Sequence, residues 1–173
     1  MREDWGLGFS STSEPAFLAL NPNGQVPVVE SQDGVLWESN TICRHLASQN
    51  GQQVLLPLSP WPRALVERWM DWQATDLNSA WRGVFLGLVR KDAAYAQPAV
   101  IAASTGDWNG DLRRACLSSR MKNSPSPTSS SAFSINRWLR TPIERPTLPA
   151  FAASFARLGE RPAFRHGNYG TLA

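Results

Sequence analysis

The sequence predicts a small mixed α/β unit followed by an all-helical bundle. Three observations predict it. A hairpin signature lies between Gln25 and Trp37, a proline-rich break covers residues 51–62, and from Arg63 onward the apolar period is helical. A chain of 173 residues is long enough for one domain or two small ones, with a real core. Its 42% hydrophobic and 18% charged residues are ordinary for a globular protein. The formal charge of +3 is scattered, with no Lys/Arg run interleaved with aromatics, so no nucleic-acid surface is expected. No apolar run reaches membrane-spanning length, and Met1-Arg2-Glu3-Asp4 lacks the chemistry of a secretory leader. No membrane partner and a cytoplasmic, reducing setting are therefore expected. Cys43 and Cys116 form no motif, and His45 and His166 are too few for a metal site, so no metal and no bound cofactor are expected.

The elements follow in order. Residues 5–13 are rich in Gly and Ser and read as loop. A short helical turn from Pro15 to Leu20 leads into Asn21-Pro22-Asn23-Gly24, a dense turn signal. Residues 25–30 form a strand with Pro27 inside it. Residues 31–34 are a turn, with Asp33-Gly34 the hairpin signature, and Val35-Leu36-Trp37 is the returning strand. Ser39 has the position of an N-cap, followed at helical spacing by Ile42, Cys43, Leu46 and Ala47. Cys43, among apolar neighbours, reads as a packing residue. The first unit is thus expected over 1–50, a linker over 51–62 and the helical unit over 63–173.

In the helical unit, Leu65, Val66, Trp69 and Trp72 make one stripe, and Trp81, Val84, Phe85 and Leu88 another. Stripes at this spacing are core. Asp76 falls four residues after Trp72, on the same face, and is either paired inside the bundle or exposed at an interface. Further helices are predicted from near Pro98 toward Trp108, over 133–139, and over 148–158 with Phe151, Phe155 and Leu158 on one side. Between them, residues 117–132 are an aberrant Ser/Pro-rich stretch with almost no apolar content, which as it stands reads as a linker.

One constellation carries chemistry. A proline inside a strand places that strand at an edge or makes the Val26–Pro27 bond cis. A cis bond turns the Val26 N–H and C=O outward, toward an extended peptide ligand. Ser39, at a helix N-terminus, offers orphan N–H groups and the positive end of a dipole to a carboxylate, while Glu38 can take an ammonium. Together these groups suit a zwitterionic amino-acid end on a short extended backbone.

The string Phe17-Leu18-Ala19-Leu20-Asn21-Pro22-Asn23-Gly24-Gln25-Val26-Pro27-Val28-Val29, then Asp33-Gly34-Val35-Leu36-Trp37-Glu38-Ser39-Asn40-Thr41-Ile42, resembles the glutathione-binding signature of bacterial glutathione transferases. Residues 69–90 resemble that family's first long bundle helix. Asn136-Arg137-Trp138, Thr141-Pro142-Ile143-Glu144-Arg145-Pro146 and Arg161-Pro162-Ala163-Phe164 resemble its C-terminal part. The resemblance implies a thioredoxin-like α/β domain, here partial, followed by a helical domain, in a homodimer. It assigns the Val26 backbone to the cysteinyl residue of glutathione and makes Pro27 the cis-proline that enforces this. Glu38 and Ser39 hold the γ-glutamyl group, and Gln25 reaches toward the glycyl carboxylate. Glutathione is then a co-substrate whose thiolate attacks an electrophilic small molecule.

The sequence departs from the family pattern twice. Family members open with a strand and a helix near whose junction the thiolate-stabilising residue lies, and the 25 residues before Val26 read as loop and one turn. No strand fixes Ser10, Ser11 or Ser13 in that role, so no catalytic residue is assigned, an N-terminal truncation is expected, and little conjugating activity is expected of the chain as it stands. Second, the Ser/Pro stretch replaces a buried helix opened by a Thr-x-x-Asp cap. Reading from the third base of the Met121 codon permits Glu-Glu-Phe-Thr-Leu-Ala-Asp-Ile-Val-Ile-Gly, so a frameshift inside the gene, or an error in its sequence, is the expected origin. The function expected is that of a glutathione transferase-like protein. The alternatives are a non-catalytic glutathione-binding or dimerisation module, or a degraded gene product. The bundle pocket is expected to be built from generic apolar residues.

Overall fold

A computed structural model describes residues 1–6, 8–117 and 129–149, together with 152, 153, 156, 159 and 160. It divides into two units, Met1–Leu58 and Ser59–Ala173.

In the first unit, helix α1 spans Pro15–Leu20, strand β1 Val28–Ser31, strand β2 Gly34–Trp37 and helix α2 Ser39–Gln49. Proline opens α1, where its missing N–H costs nothing. Asn21 closes the helix by turn chemistry. Its Oδ1 accepts from Asn23 N–H at 3.0 Å, and its Nδ2 donates to the Gln25 carbonyl at 2.7 Å. Gly24 follows at φ +61°, and a Cβ there would meet the Thr12 carbonyl at 3.3 Å, so the turn needs glycine. The expected strand over 25–30 starts only at Val28, because the residues around Pro27 do not enter the ladder. The strands pair antiparallel with Val28 opposite Trp37 and Ser31 opposite Gly34. Gln32 and Asp33, rather than Asp33 and Gly34, are therefore the central turn pair. Phe17 (2% exposed), Ile42 and Leu56 form the buried core, with Trp5 packed on Phe17 at 5.1 Å. Cys43 lies on the exposed side of α2. The packing role expected for it is not observed, because the inward position of that turn is taken by Ile42.

The helical unit begins with α3, Pro60–Trp72, so residues 60–62, expected in the linker, are its first turn. Prolines are tolerated there and absent from the interior. From Pro60 to Val89 the chain is continuously helical but not uniformly α. A π-helical segment at Gln73–Leu77 separates α3 from α4 (Asn78–Val84), and a second follows at Phe85–Val89. One turn upstream of the second, a side chain from elsewhere in the bundle meets the backbone. The Ser104 hydroxyl accepts from Val84 N–H at 3.2 Å and donates to the Ala80 carbonyl. Those two groups are the pair that an α-turn joins, so the hydroxyl pins the helix at that point. Gly83 allows the approach, since a Cβ there would lie 3.0 Å from Ser104 Cβ.

Helix α5, Pro98–Leu117, packs along α4, and α6, Ser129–Arg140, packs on the first π segment and α3. The core joins Leu77, Trp81, Val84, Trp108, Leu112 and Trp138. Trp138 Nε1 donates to Asn109 Oδ1 at 2.8 Å, and Asn109 Nδ2 donates to the Glu144 carbonyl at 2.9 Å, which ties α6 and the following loop to α5. Gln73 Nε2 donates to buried Ser134 Oγ at 3.1 Å. Of the Ser/Pro stretch, residues 129–132 belong to α6 rather than to a linker, and 118–128 lie outside the described residues. Pro149, Ala152, Ala153, Ala156 and Gly159 are helical, in keeping with the predicted terminal helix. Phe151, Phe155 and Leu158 lie outside the described residues.

Candidate functional site

The ladder ends at the Val28–Trp37 pair, and the next residues on the two strands are Pro27 and Glu38. The residues singled out from sequence therefore lie at one end of one hairpin: Gln25, Val26 and Pro27 on one side, Glu38 and Ser39 on the other. All of them are exposed. The Val26–Pro27 bond is cis, as expected. Val26 is 54% exposed, and its N–H and C=O enter neither the ladder nor any turn bond among the described residues. Gln25 offers a free side chain, its carbonyl being held by Asn21.

Ser39 is not the N-cap. Glu38 is, and Ser39 is the first helical residue of α2. The reason is backbone conformation. Glu38 sits at φ 73° and ψ 107°, a region that side-chain-bearing residues seldom adopt, and turns the chain from strand to helix in a single residue. Its carbonyl accepts the first helical bond, from Ile42 N–H at 2.9 Å. No side chain caps the helix, and the Glu38 carboxylate and Ser39 hydroxyl make no hydrogen bond among the described residues. The start of α2 thus stands beside an exposed carboxylate and an exposed hydroxyl, an arrangement suited to a zwitterion. The positive φ at Glu38 had no signal in the sequence, where Glu precedes Ser as in any capped helix.

The serines and the cysteine outside this hairpin end lie as follows. Ser10 contributes its carbonyl to Gly6 N–H, and Ser11 Oγ accepts from Ser13 N–H in the turn leading to α1. Although Cys43 is exposed as a residue, the protein around its sulfur desolvates it enough to raise the thiol pKa against the Arg44 charge, so it is not an activated thiolate. Among the described residues no group of His, Cys, Asp and Glu could hold a metal ion, and no helix is long and apolar enough to cross a membrane.

The helical unit carries an open cleft of about 540 Å³ lined by Thr75, Asp76, Ser79, Ala80, Asp107, Asp111 and Arg114. Its charged lining comes from Asp76, Asp107, Asp111 and Arg114. Of the two alternatives for Asp76, exposure is the one observed, and its carboxylate accepts from Thr75 Oγ1 at 2.9 Å. Arg114 is paired with Asp111.

Comparison with known proteins bears on this geometry. Residues 5–48 match the family model of the glutathione S-transferase N-terminal domain, a span that includes the whole hairpin and nearly all of α2. Glutathione S-transferase GstB of Escherichia coli strain K12 is 46% identical over 101 residues, covering 57% of this chain and 49% of that protein. The chain thus matches about half the length of that curated relative. Probable elongation factor 1-gamma 2 of Arabidopsis thaliana is 31% identical over 106 residues, 60% of this chain and 25% of that protein. Among solved structures, the theta-class glutathione S-transferase of Xanthomonas axonopodis pv. citri, with glutathione bound, superposes with a TM-score of 0.89 at 37% identity. That likeness covers 99% of this chain and 85% of the other, and it carries the thioredoxin-like and helical domain pair with it. With the hairpin end, the open helix start and the bundle all matched in one relative, the chain belongs to the glutathione S-transferase family.

Proposed function

We propose that the chain binds glutathione at the open end of the β1–β2 hairpin and presents its thiolate to an electrophilic small molecule. The Val26 backbone pairs with the cysteinyl residue, an arrangement in which Pro27 holds the segment out of the ladder. Glu38 takes the γ-glutamyl ammonium, Ser39 and the start of α2 take its carboxylate, and Gln25 reaches toward the glycyl carboxylate. The observation that supports this most directly is the Val28–Trp37 end pair, which brings both halves of the site to one place. No catalytic residue is assigned. The same reading makes the protein a homodimer, as the resemblance implies, in the cytoplasmic setting expected from its cysteine usage.

Glutathione titration by calorimetry tests the proposal. Binding should weaken about tenfold in Ser39→Ala, the size of one charge-assisted hydrogen bond. Equal affinity in wild type and variant overturns the assignment. A second reading, a glutathione-binding or dimerisation module without catalysis, is favoured by relatives named as elongation factor 1-gamma rather than as transferases. Turnover of an aromatic electrophile by a chain that binds glutathione separates the two.

A further inference from the structure

We propose that Arg90 and Arg137 form a phosphate-type oxyanion site on the helical unit, seated on the Trp81–Phe85 ring pair. Arg90 closes the second π segment, and Arg137 lies on α6, far away in sequence. The two rings meet edge to face with centroids 4.4 Å apart. The Arg137 guanidinium lies 5.0 Å from the Trp81 ring centroid, and that of Arg90 lies 5.3 Å from the Phe85 centroid. Two cations from separate elements are therefore held on one aromatic platform, whose attraction for cations restricts them before any ligand arrives.

Neither guanidinium has a carboxylate partner among the described residues. The nearby acid in sequence, Asp92, has its Oδ1 occupied by Ala94 N–H. Arg145, in the loop after α6, is spent on the Trp138 and Thr141 carbonyls and closes that helix. Arg137 is half-buried, and its pKa is lowered, first by burial and then by the Arg90 charge. A half-buried cation beside a second cation, with no counter-ion, is an unfavourable arrangement on its own. A bound anion removes that repulsion while filling N–H donors that the rings cannot use.

The geometry favours phosphate over a carboxylate. Two guanidinium forks offer donors from two directions and two positive charges. A phosphate group carries up to two negative charges and several acceptor oxygens, so it can accept from both forks at once. A carboxylate carries one charge and matches one fork. The site lies wholly within the helical unit and uses none of the groups assigned to glutathione.

The test is calorimetric titration of the 173-residue chain with inorganic phosphate, at ionic strength held constant with potassium chloride. Saturable binding to a single site is expected, with a matching rise in Tm. Arg90 is exposed, so Arg90→Gln should fold as wild type by circular dichroism and bind phosphate at least tenfold more weakly. Lys91→Gln, which removes an adjacent charge but no ring-held guanidinium, should change affinity less than twofold. Arg137→Lys keeps the charge and loses the fork, and should also weaken binding. Sodium acetate should not saturate the site over the same range. Absence of saturable phosphate binding overturns the proposal, as does unchanged binding in Arg90→Gln, equal loss in Lys91→Gln, or acetate binding as tight as phosphate.

Discussion

Replacing Glu38 by glycine and by alanine separates what its backbone does from what its carboxylate does. At φ 73° a residue with a Cβ is strained by about 1–3 kcal/mol. Glycine removes that strain, returns about 0.5–1 kcal/mol of it through its larger unfolded-state entropy, and forfeits about 0.3–1 kcal/mol of carboxylate–dipole attraction at the start of α2. Glu38→Gly should therefore unfold between about 1 kcal/mol less and 2 kcal/mol more stably than wild type. Glu38→Ala keeps the strain and loses the same attraction, so it should be less stable than the glycine variant by the strain less the glycine entropy, centred on about 1 kcal/mol and at most about 2.5 kcal/mol. Glutathione binding should respond differently. Both variants lose one charge-assisted contact to the ammonium, about 1.5–3 kcal/mol, which weakens affinity roughly 10- to 100-fold in each. Urea denaturation gives the first quantity and calorimetric titration the second. Equal stability of the two variants would refute the backbone argument, and wild-type affinity in either would refute the role of the carboxylate.

Other consequences can be checked as simply. Asn109→Ala strands the nearly buried Trp138 Nε1–H and frees the Glu144 carbonyl, so denaturation should show a loss of about 1–3 kcal/mol. Ser104→Ala removes the hydroxyl joining Val84 N–H to the Ala80 carbonyl and should cost about 1–2 kcal/mol, whereas a neutral result would mean the bridge does not stabilise the bundle. Gly87→Ala places a methyl against the Tyr95 carbonyl and 3.3 Å from Ile101, and should lower stability by about 1–3 kcal/mol by crowding. The raised Cys43 pKa means less thiolate at a given pH, so alkylation at about pH 8 should be slower than for a free cysteine. By linkage, the same shift gives a stability contribution that is full below the unfolded thiol pKa. It is lost as pH rises through the higher folded value, so urea midpoints should fall in that alkaline window.

What the sequence determined by itself was whatever local chemistry decides. Asn21 and Gly24 specify their turn through one side chain and one permissive φ, Pro15 and Pro60 open helices, and the turn residues between Val28-Val29 and Val35-Leu36-Trp37 make a hairpin. The stripes containing Trp81 and Val84 identified the bundle core, and the residues of the candidate site were legible because a proline in a strand and Glu-Ser before a helix both change backbone availability. Tertiary structure decided the rest. Glu38, not Ser39, caps α2, because the strand must turn into the helix within one residue, a geometric demand that no propensity records. Ile42 rather than Cys43 took the inward position, since two residues adjacent on a helix cannot face the same core. Ser104, entering from a different helix, bridges Val84 N–H and the Ala80 carbonyl. Arg90 and Arg137 meet on one ring pair only after α4 and α6 are packed. Each of these outcomes depends on a partner distant in sequence or on the path of the chain through space, and residue spacing encodes neither.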